Sequence, residues 1–347
     1  MDITVNADSL ERAMALHGSW PVVDAHLDLA GEILIRHKTG ERDVIQKHYL
    51  DNFKKAGIKL IFSSVFVENK SLDRAWENAM DQIRVLKEEI KSLPEVMLVT
   101  NRQELNDLLA GNRIGILIYM EGLECIGDDI DKLDELYQMG IRGASFVWSR
   151  KGALATGCCT AYEKSEKKGS LTEAGIRALG RLEQLSMFLD ISHLNDEGYA
   201  QVCRLAEKPF LATHSGSRAV FDSYRNLTDE QMKALAASGG VMGVNGCKYI
   251  AGSLAGNHLE MLCRHVEHEV AQIGSEHVGY GFDLCDSYQR GKAVLEGRTT
   301  TGKDDCLADH SQIPLLTAAL LQRGMKEEDV RRIIGGNFVD YLRKMLP

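Results

Sequence analysis

The 347-residue sequence predicts an α/β chain folded as a TIM (β/α)8 barrel with a C-terminal helical extension. Three observations predict it. Eight short apolar runs alternate with amphipathic stretches of helical length, and eight such units are the count of that barrel. Only 5 prolines occur and no Pro/Gly/Ser-rich tract interrupts the alternation, so a single domain over 1–347 is expected. Polar residues also collect at the C-terminal ends of the apolar runs, where barrel enzymes carry their chemistry. A doubly wound open sheet is the alternative architecture for the same alternation.

The first predicted strand, "PVVDAHLDL" (21–29), carries Asp24, His26 and Asp28 at every second position. In a regular strand these share one face, and burying them without partners costs several kcal/mol. The second strand is 58–67, followed by a helix over 71–93. Strand 114–122 precedes a helix over 128–140, and strand 142–148 precedes one over 172–186. Strands 187–193, 209–215 and 240–245 alternate with helices 196–208, 228–240 and 257–274, and strand 277–283 completes the eight. Thr228 followed by Gln231 forms a capping box, and Gly140, Gly239 and Gly274 sit where helices should stop. The polar segment 284–313 is expected to be a long loop bearing on the site. Residues 325–346 close the chain as a helix pair broken at Gly335-Gly336, and no internal repeat is found.

Composition narrows the function. A net charge of −9 without any Lys/Arg block excludes a nucleic-acid surface. No apolar run approaches the roughly 20 residues that span a bilayer. The polar, mildly acidic N-terminus lacks the basic and apolar regions of a signal peptide. Eight cysteines without paired CxxC spacing are expected to be reduced, and the expected location is cytoplasmic.

The strand ends supply the chemistry. Strand one ends in His26 and Asp28, strand three in Glu121, strand five in His193, strand six in His214 and strand eight in Asp283. Three histidines and three carboxylates form a ligand set suited to zinc or a similar divalent ion. Six ligands exceed one ion's needs but suit two. His26 and Asp28 would hold the first, His193 and His214 the second, and Glu121 would bridge them. A water between two such ions is acidified to hydroxide, and Asp283 would move its proton to the leaving amine. Taken singly, each residue could equally be a capping or hydrogen-bonding group; the conjunction favours metal. Asp24, on the same predicted face, is a candidate partner to the ligands. His265 and His268 are expected on a solvated helix face. Cys158 and Cys159 lack an evident base, and no phosphate-binding glycine motif follows the first strand.

Together these motifs resemble the renal or membrane dipeptidase family of the amidohydrolase superfamily, the M19 metallopeptidases. The resemblance runs from "VVDAHLDL" to "IIGGNFVDYL". Its HxD pair falls on His26 and Asp28, its "EG" glutamate on Glu121, its "DxSH" on Asp190–His193, and its "HSxxR" on His214–Arg218. Its acid/base aspartate falls on Asp283, and its "RN" arginine, which looks like the binder of the substrate carboxylate, on Arg225 with Asn226 beside it. The resemblance implies a barrel enzyme with two Zn2+ per chain bridged by Glu121 and a hydroxide. It also implies hydrolysis of small dipeptides, some with a C-terminal D-residue, and a homodimer. Three positions depart from the pattern. Trp148 stands where the family carries a histidine that binds the carbonyl oxygen, Tyr224 replaces another histidine, and Cys285 replaces an aspartate. Trp148 is therefore expected to shape the substrate pocket, with Arg150 or Lys151 supplying the missing charge. Hydrolysis of N-acyl amino acids and a catalytically inactive binding barrel are the alternatives.

Overall fold

The computed structural model describes residues 2–160, 167–300 and 302–347. Its strands are β1 (Val22–Leu27), β2 (Ile58–Phe66), β3 (Val96–Leu98), β4 (Ile114–Glu121), β5 (Ile141–Ala144), β6 (Phe188–Leu189), β7 (Ala212–Ser215), β8 (Met242–Val244) and β9 (Val278–Tyr280). Strands β1-β2-β4-β5-β6 form one curved parallel sheet and β7-β8-β9 another. The short β3, which escaped prediction because it offers three residues of pattern, pairs with the first half of β4.

Two seams close these sheets into the (β/α)8 barrel. Between β6 and β7 the chain makes one parallel bridge, Asp190 to Leu211, with Ile191 N–H donating to Leu211 O at 2.8 Å. Between β9 and β1, Phe282 N–H donates to Asp24 Oδ1 at 2.9 Å. Each seam is thus stitched by a buried aspartate. The barrel interior is filled by Phe62, Tyr119, Phe188 and Phe338, with the Phe62 ring 5.7 Å from Phe188 and 5.6 Å from Phe338. Phe338 comes from the C-terminal helix Asn337–Met345, which closes the N-terminal end of the barrel with one apolar stripe. The chain enters that helix through the predicted break at Gly335, where a Cβ would collide with the Pro21 carbonyl and Val23.

Helices 75–92, 132–138, 173–184, 196–205, 229–238 and 258–273 occupy the predicted positions, each shorter at one or both ends. The Thr228–Gln231 capping box forms, and Gly239 takes the left-handed conformation (φ 85°) that ends its helix. The expected loop 284–313 is corrected in part, since it contains a helix over Asp286–Leu295. Its buried face is made of Asp286, Tyr288, Gly291 and Ala293, too polar and too small to read as an apolar stripe. Asp305, further along the same segment, caps it by accepting the Cys285 and Asp286 N–H groups at 3.2 and 2.8 Å.

Two bulges matter most for the site. On β1 the residues Asp24 and Leu27 oppose Ile61 and Ser63, three residues against two. On β7, Ala212 and Ser215 oppose Met242 and Val244 in the same way. A bulge re-aims a side chain, and each of these contains a histidine, His26 or His214. The expectation that Asp24 shares a face with His26 is therefore corrected. His26 turns inward to Tyr119, whereas Asp24 turns outward and takes a bond from His310 Nε2 at 3.0 Å, beside Phe53 and Tyr49. Among the described residues no helix is long and apolar enough to cross a membrane. Among the described residues no cysteine is joined in a disulfide.

Candidate metal centre

The six strand-end residues singled out by sequence converge at the C-terminal mouth of the barrel. His26 Nε2 lies 3.4 Å from Asp283 Oδ1, 3.8 Å from Asp28 Oδ1 and 3.9 Å from Glu121 Oε2. On the other side of the same glutamate, Oε1 sits 2.9 Å from His193 Nε2 and 3.4 Å from His214 Nε2. The two oxygens of Glu121 thus face two different histidine sets.

Each imidazole is held from behind by a hydroxyl. His26 Nδ1 meets Tyr119 Oη, His193 Nδ1 meets Ser149 Oγ at 2.8 Å, and His214 Nδ1 meets Thr213 Oγ1 at 2.8 Å. Thr213 donates its own proton to Asp190 Oδ2 at 2.9 Å, so its oxygen accepts from His214 Nδ1–H. That leaves the His214 Nε2 lone pair pointing into the cluster. Burial, reinforced by the Arg225 guanidinium, pushes the His26 pKa down to about 3. Burial likewise lowers His193 and His214 well below the usual imidazole range, with nearby cationic groups adding to it. All three are therefore neutral.

The arrangement fits a divalent cation. His26 Nε2 is buried without a hydrogen-bond partner, and the Nε2 atoms of His193 and His214 lie 3.0 Å apart. Burial, with Glu68 and Glu32 nearby, pushes Asp28 up to about 6, and burial with the neighbouring aspartates pushes Glu121 and Asp283 well above the ordinary carboxylate range. Neutral nitrogens crowded against carboxylates that repel one another form a donor set lacking positive charge. The residues that could hold it fall into two groups sharing His26: His26, Glu121 and His214, and His26, Asp28 and Asp283. Ser64 Oγ donates to Asp28 and orients it. Asp283 adopts a left-handed backbone (φ 55°), a conformation costing about 1 kcal/mol in a non-glycine residue. Asn245 Nδ2 holds its Oδ2 at 3.2 Å.

Above this cluster opens a cavity of about 530 Å3, within the range of small-molecule sites. Arg225, buried, gives two N–H groups to the Ser192 and His214 carbonyls and turns the rest of its guanidinium to the cavity. Trp148 lines the cavity, packed against Phe66 and His193 at 5.1 and 5.6 Å between ring centroids. Arg150 does not supply charge there. It pairs with Glu124 at 2.8 Å, bonds Asn69 and the Val67 carbonyl, and lies over the Trp148 and Phe66 rings. Lys151 is exposed and outside the cavity. Asn226, expected at the substrate, instead holds the Phe221 and Ile250 carbonyls at 2.9 Å each, away from the cavity lining. Tyr224 stacks beneath Arg218, and the Cys285 thiol faces Asp305.

His265 is also corrected. It is buried, accepting from Ser217 N–H at 2.9 Å and donating to the Ala251 carbonyl at 3.1 Å, because the 216–217 loop and the short helix Lys248–Ala251 fold over its helix. His268 remains at the surface, paired with Asp229. Sequence reasoning missed Tyr119, Ser149, Thr213 and Asn245. Tyr119 stands two residues before Glu121 and Thr213 just before His214, but hydroxyl residues near strand ends are too common to signal a role. A second cavity, of about 580 Å3, lies at the opposite end of the barrel near Trp20, Lys59 and Arg343, and holds none of the cluster.

A parallel barrel whose strand ends gather neutral histidines and carboxylates around a small cavity is the layout of a metal-dependent hydrolase. The membrane dipeptidase family (peptidase family M19) matches residues 10–345, and the chain belongs to it, a metallopeptidase of the dipeptidase class. It is 28% identical to Dipeptidase 3 of Homo sapiens, over 96% of this chain and 67% of that protein. Among solved structures, a metallopeptidase from Rhodobacter sphaeroides holding a phosphinate mimic of the dipeptide L-Ala-D-Ala superposes with a TM-score of 0.81. That protein is 26% identical, over 94% of this chain and 99% of that one. An amidohydrolase from Pseudomonas aeruginosa, 20% identical, shares the fold with a TM-score of 0.78 over 96% of this chain and 99% of that one.

Proposed function

We propose that the chain hydrolyses small dipeptides, including those with a C-terminal D-residue, at a site holding two zinc ions. The observation that carries this reading is Glu121, whose Oε1 and Oε2 face separate histidine groups, as a bridging carboxylate must. His26 and Asp28 would hold one ion, His193 and His214 the other. Zinc, when bound by these residues, would supply an acidified water and a Lewis acid for the scissile carbonyl. Asp283, fixed by Asn245, takes the proton of the attacking water on Oδ1 and returns it to the leaving amine. Arg225 receives the substrate carboxylate bidentately, and the Trp148–Phe66 wall excludes water from one flank. The R. sphaeroides complex with an L-Ala-D-Ala mimic supports the D-residue preference. Cysteines outside any disulfide among the described residues support a reducing, cytoplasmic location, and the resemblance supports a homodimer, which light scattering would read.

The test is metal content and rate together. Purified protein should contain about two zinc ions per chain, lose activity to a chelator and regain it with zinc. Asp283→Asn should keep both ions and lose at least about a thousandfold in kcat. One ion or none at full activity would overturn the two-zinc reading; an active Asp283→Asn would remove its assigned role. The apolar wall at Trp148 favours N-acyl amino acids as a second reading. Turnover of those alone in a substrate panel would establish it.

A further inference from the structure

Arg225 follows β7, and the barrel order places β2 diametrically across from β7. A substrate whose carboxylate sits on Arg225 and whose amide lies over the metal ligands must send its amino-terminal half toward β2. What waits there is charged. Glu68 and Lys70, just after β2, and Tyr288 and Lys292, on the helix after β9, all line the same cavity as Asp28, Glu121 and Asp283. Lys292 Nζ lies 2.6 Å from Glu68 Oε1 and Lys70 Nζ 3.0 Å from Glu68 Oε2. Tyr288 donates to Glu68 at 3.0 Å. Lys70 also reaches Glu296, which stands outside the cavity, at 2.8 Å.

Outside the metal cluster, Glu68 is the one carboxylate among the described residues lining this cavity, and it faces two ammonium groups and a phenol. With two ammonium groups and a phenol already on its two oxygens, it offers little to a substrate cation. Within the cavity lining this wall presents two ammonium groups to one carboxylate, because Glu296, the second partner of Lys70, stands outside it, and Lys292 is partly desolvated against Glu68. Phe66 and Trp148 beside it furnish an apolar floor for the stem of a side chain.

We propose that Lys292 and Lys70 form a cationic subsite that selects substrates with a carboxylate on the amino-terminal half: dipeptides beginning with Glu or Asp. The proposal rests on the dipeptidase reading for its orientation. An incoming side-chain carboxylate joins Glu68 as a second acceptor for the two lysines on the cavity side.

The experiment uses zinc-loaded protein with Glu-Ala, Gln-Ala and Lys-Ala in L,L and L,D forms, and N-succinyl-alanine against N-butyryl-alanine. Calorimetric binding of each runs beside turnover. Glu-Ala should exceed Gln-Ala by about tenfold or more in kcat/KM, chiefly through KM, the size of one charge-assisted contact. Lys-Ala should be poorest. Lys292→Gln should reduce the Glu/Gln ratio to about threefold or less, Lys70→Gln should lower it less, and Lys292→Arg should restore it. Equal use of Glu and Gln, or a preference for Lys-Ala, overturns the subsite while leaving the dipeptidase reading intact. Turnover of N-succinyl-alanine above N-butyryl-alanine without any dipeptide hydrolysis would keep the subsite and sink the dipeptidase reading. If nothing is turned over, tighter binding of the succinyl or Glu compound supports the subsite, and equal binding overturns it.

Discussion

The two seams of the barrel solve one problem in two ways. At β6–β7, Asp190 lies beneath the histidine–carboxylate cluster and accepts four bonds, from the N–H and hydroxyl of both Ser192 and Thr213. At β9–β1, Asp24 faces the helix layer instead and accepts from the His26 and Phe282 N–H groups and from His310. The first seam is built from residues within 23 positions of each other, and it sets the rotamer of a ligand through Thr213. The second ties residues 258 and 286 positions apart and reaches the ligands only through the backbone of His26. The difference teaches that barrel closure and ligand orientation are one device at one seam and two devices at the other.

Mutations separate them. Asp190→Ala strands four buried donors and should cost about 3 kcal/mol or more, read from the urea midpoint at constant slope. It should also weaken zinc binding at His193 and His214. Asp24→Ala strands three donors and should cost about 2–3 kcal/mol by the same measurement, with a smaller loss of zinc affinity. A larger zinc effect from Asp24→Ala would erase the distinction. Ser149→Ala, which frees His193 Nδ1 without touching either seam, should lower zinc affinity about tenfold while leaving the urea midpoint in place. Thr228→Ala, in a capping box remote from the cluster, should cost about 1 kcal/mol and leave zinc binding unchanged.

The same contrast marks what could be seen in the sequence. Strand and helix alternation fixes the barrel, because burial imposes the pattern on every unit. The positions of His26, Asp28, Glu121, His193, His214 and Asp283 are visible because charged residues ending apolar runs violate that pattern. Two things were not visible. One is the bulge on β1, where a single extra residue turns His26 inward while Asp24 keeps the outward face; period-two reasoning assumes it absent. The other is long-range partnership: Asp24 with His310, Tyr119 with His26 and Lys292 with Glu68 are set by the folded barrel and leave no local spacing. The helix at Asp286–Leu295 stayed hidden because it packs through Gly291 and Ala293 rather than through large apolar residues.

The 258-residue separation between Asp24 and Phe282 also bears on how the protein is made. During synthesis β1 through β6 can pair as they emerge, since each contacts a near neighbour. The ring, however, has no closing partner until almost five-sixths of the chain has left the ribosome. Until then β1 stands as an open edge, with His26 and Asp28 in place and Asp283 still to come. An open parallel edge is sticky, and contacts this distant in sequence form late. The nascent half-barrel is therefore the stage at which this protein most needs shielding from its own kind.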